Sequence, residues 1–373
     1  MTRPAITRSM VSVVVVLSLL ATALAPARGA AAPDKAVISQ AQRAIDNGLR
    51  WLRSVQKPDG IYGGHLGITE LAVMAFALSP RQYREEDGPF MRNALTRIRG
   101  AAKPDGSITE GSGNESTKNY TTALGLLALK ANGDPKDTDI IQRAQQWMRS
   151  QQTVEAQGYR PDDKFYGGFG YGSSLRPDLS NTHFAIEALR TTGIPASDPV
   201  FARAVKFLQR TQNRTESNDV PGALDDGGFA YYPGFSFEGG WTSTGSMTYG
   251  GLKSYIYADV DRNDPRLQAA LKWITKHYTV DEHPGRGPKT YYYYIHVFAR
   301  TWNLLKVDTV TTEDGVKHDW VRELVTKLVS EQQPQGYWVN SRASDEWEDR
   351  PELCTSHALL ALIYGLQTYT GSK

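Results

Sequence analysis

The residues of this chain with the means to do chemistry are a few acidic groups, a run of four tyrosines, two loop cations, and a scattering of histidines with one cysteine. Asp162-Asp163 stands between Pro161 and Lys164, and Asp225-Asp226 precedes Gly227-Gly228. Both settings are turn-forming, which predicts solvated loop carboxylates, with a displaced acid or a cation site as the sharper alternative. Asp178, in Pro177-Asp178-Leu179-Ser180-Asn181-Thr182, stands where an N-cap belongs for a helix starting near Ser180. Asp178, Asp225 and Asp226 are the candidate catalytic acids. Tyr291 to Tyr294 are consecutive, so on a helix they point in all directions and at least one reaches the interior that the helix faces. Tyr292, Tyr293, Trp241, Tyr249 and Trp302 are candidate walls of a ligand cavity, since amphipathic rings suit a groove with one wet side. Arg286 and Lys289 offer two cations to an anion. His183, His296, His357 and Cys354 complete the cavity candidates. Their spacing is not a metal-ligand pattern and one thiolate is not a zinc site, so no metal and no cofactor is expected. There is no phosphate-cradling loop, His-Glu-x-x-His or nucleophile elbow.

The elements that position these residues repeat. Lys57-Pro58-Asp59-Gly60 returns as Lys103-Pro104-Asp105-Gly106, and Trp51-Leu52-Arg53-Ser54-Val55-Gln56 returns as Trp147-Met148-Arg149-Ser150-Gln151-Gln152. These segments are amphipathic: Ala44, Leu49 and Leu52 share one side while Arg43, Arg50 and Arg53 take the other. They alternate with a second kind, such as 122–129, which is apolar nearly all round and must be buried on most sides. The pattern predicts outer helices at about 36–56, 89–102, 138–152, 198–212, 265–278 and 318–332. Each precedes one inner helix, around 71–78, 122–129, 182–189, 248–255, 291–305 and 356–363. Six amphipathic and six buried helices in alternation predict an all-α fold, an α/α toroid of two concentric rings. A repeat that cannot bury its inner face alone closes into one domain.

Composition excludes several classes. With 40% hydrophobic residues the chain can build a large core, and 42 basic against 40 acidic residues give a net charge of +2, which calls for no nucleic-acid partner. Arg3 and Arg8 precede an apolar run from Met10 to about Ala25, followed by small residues. This order reads as a secretory signal over residues 1–30, so an exported (periplasmic or secreted) protein is expected, with residues 31–373 as a single domain. The apolar run is short for a membrane span, and no transmembrane helix is expected after cleavage. Cys354 has no second cysteine to pair with.

Several copies of the repeat resemble a known superfamily. Gln332-x-x-x-Gly336-x-Trp338 matches the Gln–Trp repeat of squalene and oxidosqualene cyclases, and Gln56-x-x-x-Gly60-x-Tyr62 is a tyrosine version. Gly167-Gly168-Phe169 and Gly227-Gly228-Phe229 are similar to the Gly-Gly-aromatic turns of the same repeats. The chain thus resembles the terpenoid cyclase and protein prenyltransferase toroids over roughly residues 36–368. The resemblance implies that Gln56, Tyr62, Gln332 and Trp338 tie outer helices to the turns that follow them. The cyclases' acidic run Asp-x-Asp-Asp-Thr falls on Asp178 to Thr182. Asp178 matches the first acid, but Ser180 and Asn181 stand at the second and third, and the second is the family's proton donor. Gly285-Arg286-Gly287-Pro288-Lys289 resembles the prenyltransferases' diphosphate segment. Their zinc positions fall on Tyr292, Tyr294 and Cys354, which do not form that site.

The resemblance implies a protein that binds or transforms an isoprenoid or other apolar small molecule in a central cavity. Whether it is an enzyme stays open; if it is, it is a divergent cyclase or transferase. Two further expectations stand beside this one. A non-catalytic binding scaffold would account for the departures from both motifs. A secreted polysaccharide lyase or hydrolase would suit an exported chain rich in Tyr and Trp, and requires two suitably placed carboxylates. Protein partners are not specified by the sequence.

Overall fold

A computed structural model describes residues 34–110, 117–172, 176–343 and 346–371. The segment read as a secretory signal lies outside the described residues.

Twelve long helices alternate between two rings. The outer ring is α1 (Lys35–Val55), α3 (Pro89–Gly100), α5 (Thr138–Ser150), α7 (Pro199–Thr211), α9 (Pro265–Lys276) and α11 (Trp320–Glu331). The inner ring is α2 (Leu66–Leu78), α4 (Lys118–Asn132), α6 (Leu179–Thr191), α8 (Gly245–Tyr257), α10 (Tyr291–Leu305) and α12 (Pro351–Thr370). Each inner helix packs on the next, and α12 returns to α2 to close the circle. Two short antiparallel ribbons decorate the connections, β1 (Phe169–Gly170) with β2 (Pro177–Asp178) and β3 (Thr309–Thr311) with β4 (Lys317–Asp319).

The two helix types follow from their residues. Four of the six outer helices start on Asp caps: Asp34, Asp198, Asp264 and Asp319 each accept an amide of the first turn. Proline stands early in α3, α7 and α9, where its missing N–H costs nothing. Their buried side chains form a stripe, Val37, Ala41, Ala44, Ile45, Gly48, Leu49 and Leu52 in α1. Inner helices have no exposed face: in α2 every residue from Leu66 to Ala77 is buried.

One joint recurs around the ring. Gln56 donates to the carbonyls of Gly60 and Phe90, Gln152 to Gly167 and Val200, Gln212 to Gly227 and Arg266, and Gln332 to Gly336 and Ala44. Each glutamine ties the end of one outer helix to its own turn and to the next outer helix. The Gln332 copy joins the last outer helix to the first. The turn glycines have positive φ, and an added Cβ at Gly336 would stand 2.6 Å from the Asn47 carbonyl oxygen. Only glycine lets the turn lie this close to the neighbouring helix. A second joint pins the inner helices: Thr69, Thr122, Thr182, Thr248 and Thr355 accept the amides of Tyr62, Ile108, Phe169, Phe229 and Trp338. At the corresponding place in α10 stands Tyr294, whose hydroxyl donates to the Thr279 carbonyl.

Candidate functional site

The inner helices carry polar side chains at helical spacing on the faces that look into the ring. On α6 these are Ser180, His183 and Glu187; on α8, Lys253 and Tyr257; on α10, Tyr293, His296 and Arg300; on α12, His357 and Tyr364. Intervals of three, four and seven residues keep each set on one side of its helix. Contacts between α6 and α10, which have α8 between them in the ring, show that these faces meet in the middle.

The set forms tiers along the ring axis. At the end where the inner helices begin, the Tyr293 hydroxyl lies 2.9 Å from Ser180 Oγ and 2.7 Å from His183 Nε2. Tyr120 packs edge-on against Phe184, which also lies beside Tyr293. Around this opening the hydroxyls of Tyr171 and Tyr231 are 3.4 Å apart, and Trp347, 44% exposed, stands edge-on to His65. One turn deeper, His296 Nδ1 meets His357 Nδ1 at 3.0 Å, and His296 stacks on Tyr364. A contact between two such nitrogens requires one ring to donate and the other to accept, so at least one is neutral. Deeper still, Glu187 binds Lys253 Nζ at 2.5 Å through one oxygen and Arg300 Nε at 2.8 Å through the other. Tyr257 donates to Glu187 and accepts from Arg300. This charged group crosses the interior from α6 through α8 to α10.

Burial dominates the electrostatics. Desolvation, with Lys253 nearby, holds His183 well below the ordinary histidine value. It brings His357 down to about 3, and with His357 itself it depresses His296. Asp178 is pushed up to about 7 by burial, against two hydrogen bonds from Asn181. Glu348 is likewise pushed up to about 7 by burial, although it accepts the Tyr293 amide at 2.9 Å and the Asn340 side chain at 2.7 Å. Both carboxyls, each 1% exposed, therefore keep a substantial neutral fraction near pH 7. For Glu187, burial raises the value, but Lys253 and Arg300 outweigh it and hold the carboxyl well below its ordinary range. Glu70, on α2, is buried without a hydrogen-bond partner among the described residues, and desolvation raises it well above the usual carboxylate value.

The structure brings His183, Tyr293, His296 and His357 together, with Asp178 at the edge. The other candidates lie elsewhere. Tyr249 is buried among Tyr294, Phe298 and Trp302, a cluster that continues to Trp320 of the outer ring. Tyr292 points to Glu331 of α11, and Tyr291 donates to the Val280 carbonyl. Of the four tyrosines, Tyr293 is the one that enters the ring. Cys354 Sγ contacts the Glu348 carbonyl at 3.2 Å. Arg286 is held by Glu238 and Glu346, so its charge is already met. Lys289 lies in the same turn, its carbonyl accepting from His283 Nδ1. Asp225 accepts from Thr215, and Asp226 caps the Gly228 amide while accepting from Ser243 and Trp273. Both line a surface depression on the outer wall with Lys272 and His277. Trp241 belongs to the neighbouring loop, where its carbonyl accepts from Asn213.

Sequence reasoning missed Tyr120, Phe184, Glu187, Lys253, Arg300, Glu348 and Glu70. For Glu70, Glu187, Lys253 and Arg300 a signal existed: each is a lone charge within an otherwise apolar inner segment. Among the described residues, no group of three His, Cys, Asp or Glu side chains converges as metal ligands. No described helix is long and apolar enough to cross a membrane.

The squalene-hopene cyclase C-terminal domain family matches residues 67–231. No curated protein matches the chain significantly in sequence. Among solved structures, the type II terpene cyclase MstE from Scytonema superposes with a TM-score of 0.56 at 13% identity, covering 89% of this chain and 99% of that one. A protein from Actinoplanes gives 0.51 at 14% identity, covering 88% and 99%. A glycosidase in complex with glucose gives 0.51 at 12% identity, covering 90% and 99%. At such identities the likeness is one of fold, and one fold hosts many activities.

Proposed function

We propose that this chain, an α/α toroid of the terpenoid cyclase-like superfamily, binds an amphipathic small molecule of the isoprenoid or similar apolar class at the opening of its inner ring. The observation that carries this reading is the juxtaposition of Tyr120, Phe184, Tyr171 and Tyr231 with the hydrogen-bonded Ser180, Tyr293 and His183. Aromatic faces suit a hydrocarbon chain, and convergent hydroxyl and imidazole groups suit one polar end. The structurally similar MstE is seen with geranylgeranyl dihydroxybenzoate as its substrate, an amphipathic molecule of this kind. Proton-initiated cyclisation is not part of the proposal. Ser180 occupies the position of the cyclases' proton donor, and an alcohol is too weak an acid to protonate an alkene. The charged tier below limits how deep a hydrocarbon can lie, because contact with it would strip water from ions without replacing the lost interactions.

The exported location read from residues 1–30 belongs to the same proposal. Its test is mass spectrometry of small molecules extracted from mature protein purified out of the exported fraction. A stoichiometric isoprenoid or other lipid is the expected result. Folded protein that yields none, in several preparations, would overturn the reading.

A second reading, glycan hydrolysis, is favoured by one feature: Asp178 and Glu348 both stay partly neutral near pH 7, as a general acid must. It predicts turnover of a polysaccharide that is lost in Glu348→Gln.

A further inference from the structure

We propose that Ser180 is a nucleophile for acyl transfer, served by Tyr293 and His183 as a proton relay, and that its substrates are carboxylic esters with an apolar or aromatic portion. The inference goes beyond ligand binding and does not depend on which ligand is bound.

Three observations support it. The first is the connected pair of hydrogen bonds, Ser180 Oγ to the Tyr293 hydroxyl at 2.9 Å and on to His183 Nε2 at 2.7 Å. With His183 neutral and its proton on Nδ1, Nε2 accepts from Tyr293, which leaves the tyrosine oxygen free to accept from Ser180. The direction of the chain then runs from serine to imidazole, as nucleophile activation requires. The second is the place of Ser180 at the second position of α6, where the Leu179 amide is bound by the Tyr231 carbonyl and the Asn181 amide by Asp178. The Ser180 amide has no hydrogen-bond partner among the described residues. It points from the positive end of the helix and can receive the oxygen of a tetrahedral adduct. The third is access. Ser180 is 9% exposed and stands beside Tyr293, which like Tyr120 is only partly buried, whereas His183, His357, Lys253 and Glu187 below it are each under 5% exposed, so Ser180 is the member of the set nearest to solvent.

The chemistry balances without another reactant. Ser180 Oγ attacks the ester carbonyl carbon while its proton passes to the Tyr293 oxygen and the tyrosine proton passes to His183 Nε2. The carbon–oxygen bond to the alcohol breaks, and the alcohol leaves with the proton returned along the same path. Water then attacks the acyl-serine by the same relay and releases the carboxylic acid. The groups facing His183 are Tyr293 and His296 on α10, Lys253 on α8 and Glu187 on its own helix. Burial, with Lys253 second, keeps the imidazole neutral, and Glu187, one turn below, opposes that effect. The imidazole is therefore neutral, with its Nε2 lone pair free, below pH 6.5, and the same burial makes it a weaker base than an exposed histidine.

The test is labelling of the folded chain with a fluorophosphonate, an ester-like reagent for activated serines, followed by peptide mass spectrometry. A single adduct on Ser180 is expected, absent in Ser180→Ala and absent after heat unfolding. Its rate should be nearly flat from pH 8 down to about pH 5.5, where a histidine of ordinary pKa would already be largely protonated. Tyr293→Phe should slow labelling about 100-fold. Tyr294→Phe, which removes a hydroxyl from the same helix on its outer side, should not. No adduct on Ser180, or an equal rate in Tyr293→Phe that remains folded by circular dichroism, would overturn the assignment. Because the label reports on serine reactivity and lipid extraction on occupancy, the two proposals fail separately.

Discussion

Replacing Glu187 by glutamine keeps the side chain's volume and removes the one negative charge in the deepest tier. Lys253 and Arg300 would then face each other without a counter-ion. The side chains of Glu187 and Lys253 are 5% and 1% exposed, and that of Arg300 is 17% exposed, so water cannot compensate. Breaking a buried pair of this kind costs about 3–5 kcal/mol. For roughly 340 ordered residues the unfolding entropy makes each kcal/mol worth about 1.4 °C, so Tm should fall by about 4–7 °C. Exposed Glu86→Gln is the control and should shift Tm by less than about 1 °C. The double variant Glu187→Gln with Lys253→Met should recover part of the loss, because it removes one of the stranded cations, giving a coupling of about 0.5–3 kcal/mol. The sign of the pH effect follows from the depressed Glu187 value. Its contribution is complete above the ordinary glutamate pKa and is lost as pH falls through the folded value. The gap between the wild type and Glu187→Gln should therefore stay constant from pH 8 to pH 6. Differential scanning calorimetry at these pH values is the assay. A Glu187→Gln variant no less stable than Glu86→Gln would refute the reasoning.

Two further outcomes are expected. Gln332→Ala leaves the Ala44 and Gly336 carbonyls without their donor, at about 1–3 kcal/mol; hydrogen exchange should accelerate first in α1 and α11, and uniform acceleration around the ring would show that the joint does not close it locally. Glu348 holds its proton in the folded state up to about pH 7, above the unfolded value, so the native state binds more protons between the two and stability falls as pH rises through that window. The buried histidines act in the opposite sense below pH 6.5, so the readout is the difference between the wild type and Glu348→Gln in urea unfolding. That difference should shift by about 2–3 kcal/mol in favour of the variant from pH 5 to pH 8; a constant difference would show that Glu348 is ionised throughout.

The architecture was legible because it is written in local patterns. The expected outer helices at 89–102, 138–152 and 265–278 are found at Pro89–Gly100, Thr138–Ser150 and Pro265–Lys276. Amphipathic and all-apolar segments in strict alternation fit either two closed rings or an open superhelix of hairpins, and the contacts of α12 with α2 and of Gln332 with Ala44 decide for closure. Asp178 was readable as a cap, and it does accept the Asn181 amide. The candidate site was only partly legible. His183, His296, His357 and Tyr293 were singled out by residue type. The charged tier beneath them was not, although each charge stood alone in an apolar run.

The sequence by itself determined which helices are outer and which are inner and where the outer ones lie, whereas inner helices expected to start near 71 and 356 begin at Leu66 and Pro351. What it determined are properties of neighbours along the chain, set by helical periodicity, caps and turn glycines. Tertiary structure alone decided which of the four tyrosines enters the ring. It also decided that Ser180 meets Tyr293 across 113 positions and that Glu187 meets Lys253 across 66. Rotating a helix by one residue turns each side chain by about 100°, and the rotation is fixed only when every neighbour in both rings has packed. Asp225 and Asp226 show the same dependence: their types suggested acids, and the packing of the turn against α9 gave them hydrogen bonds on the outer wall.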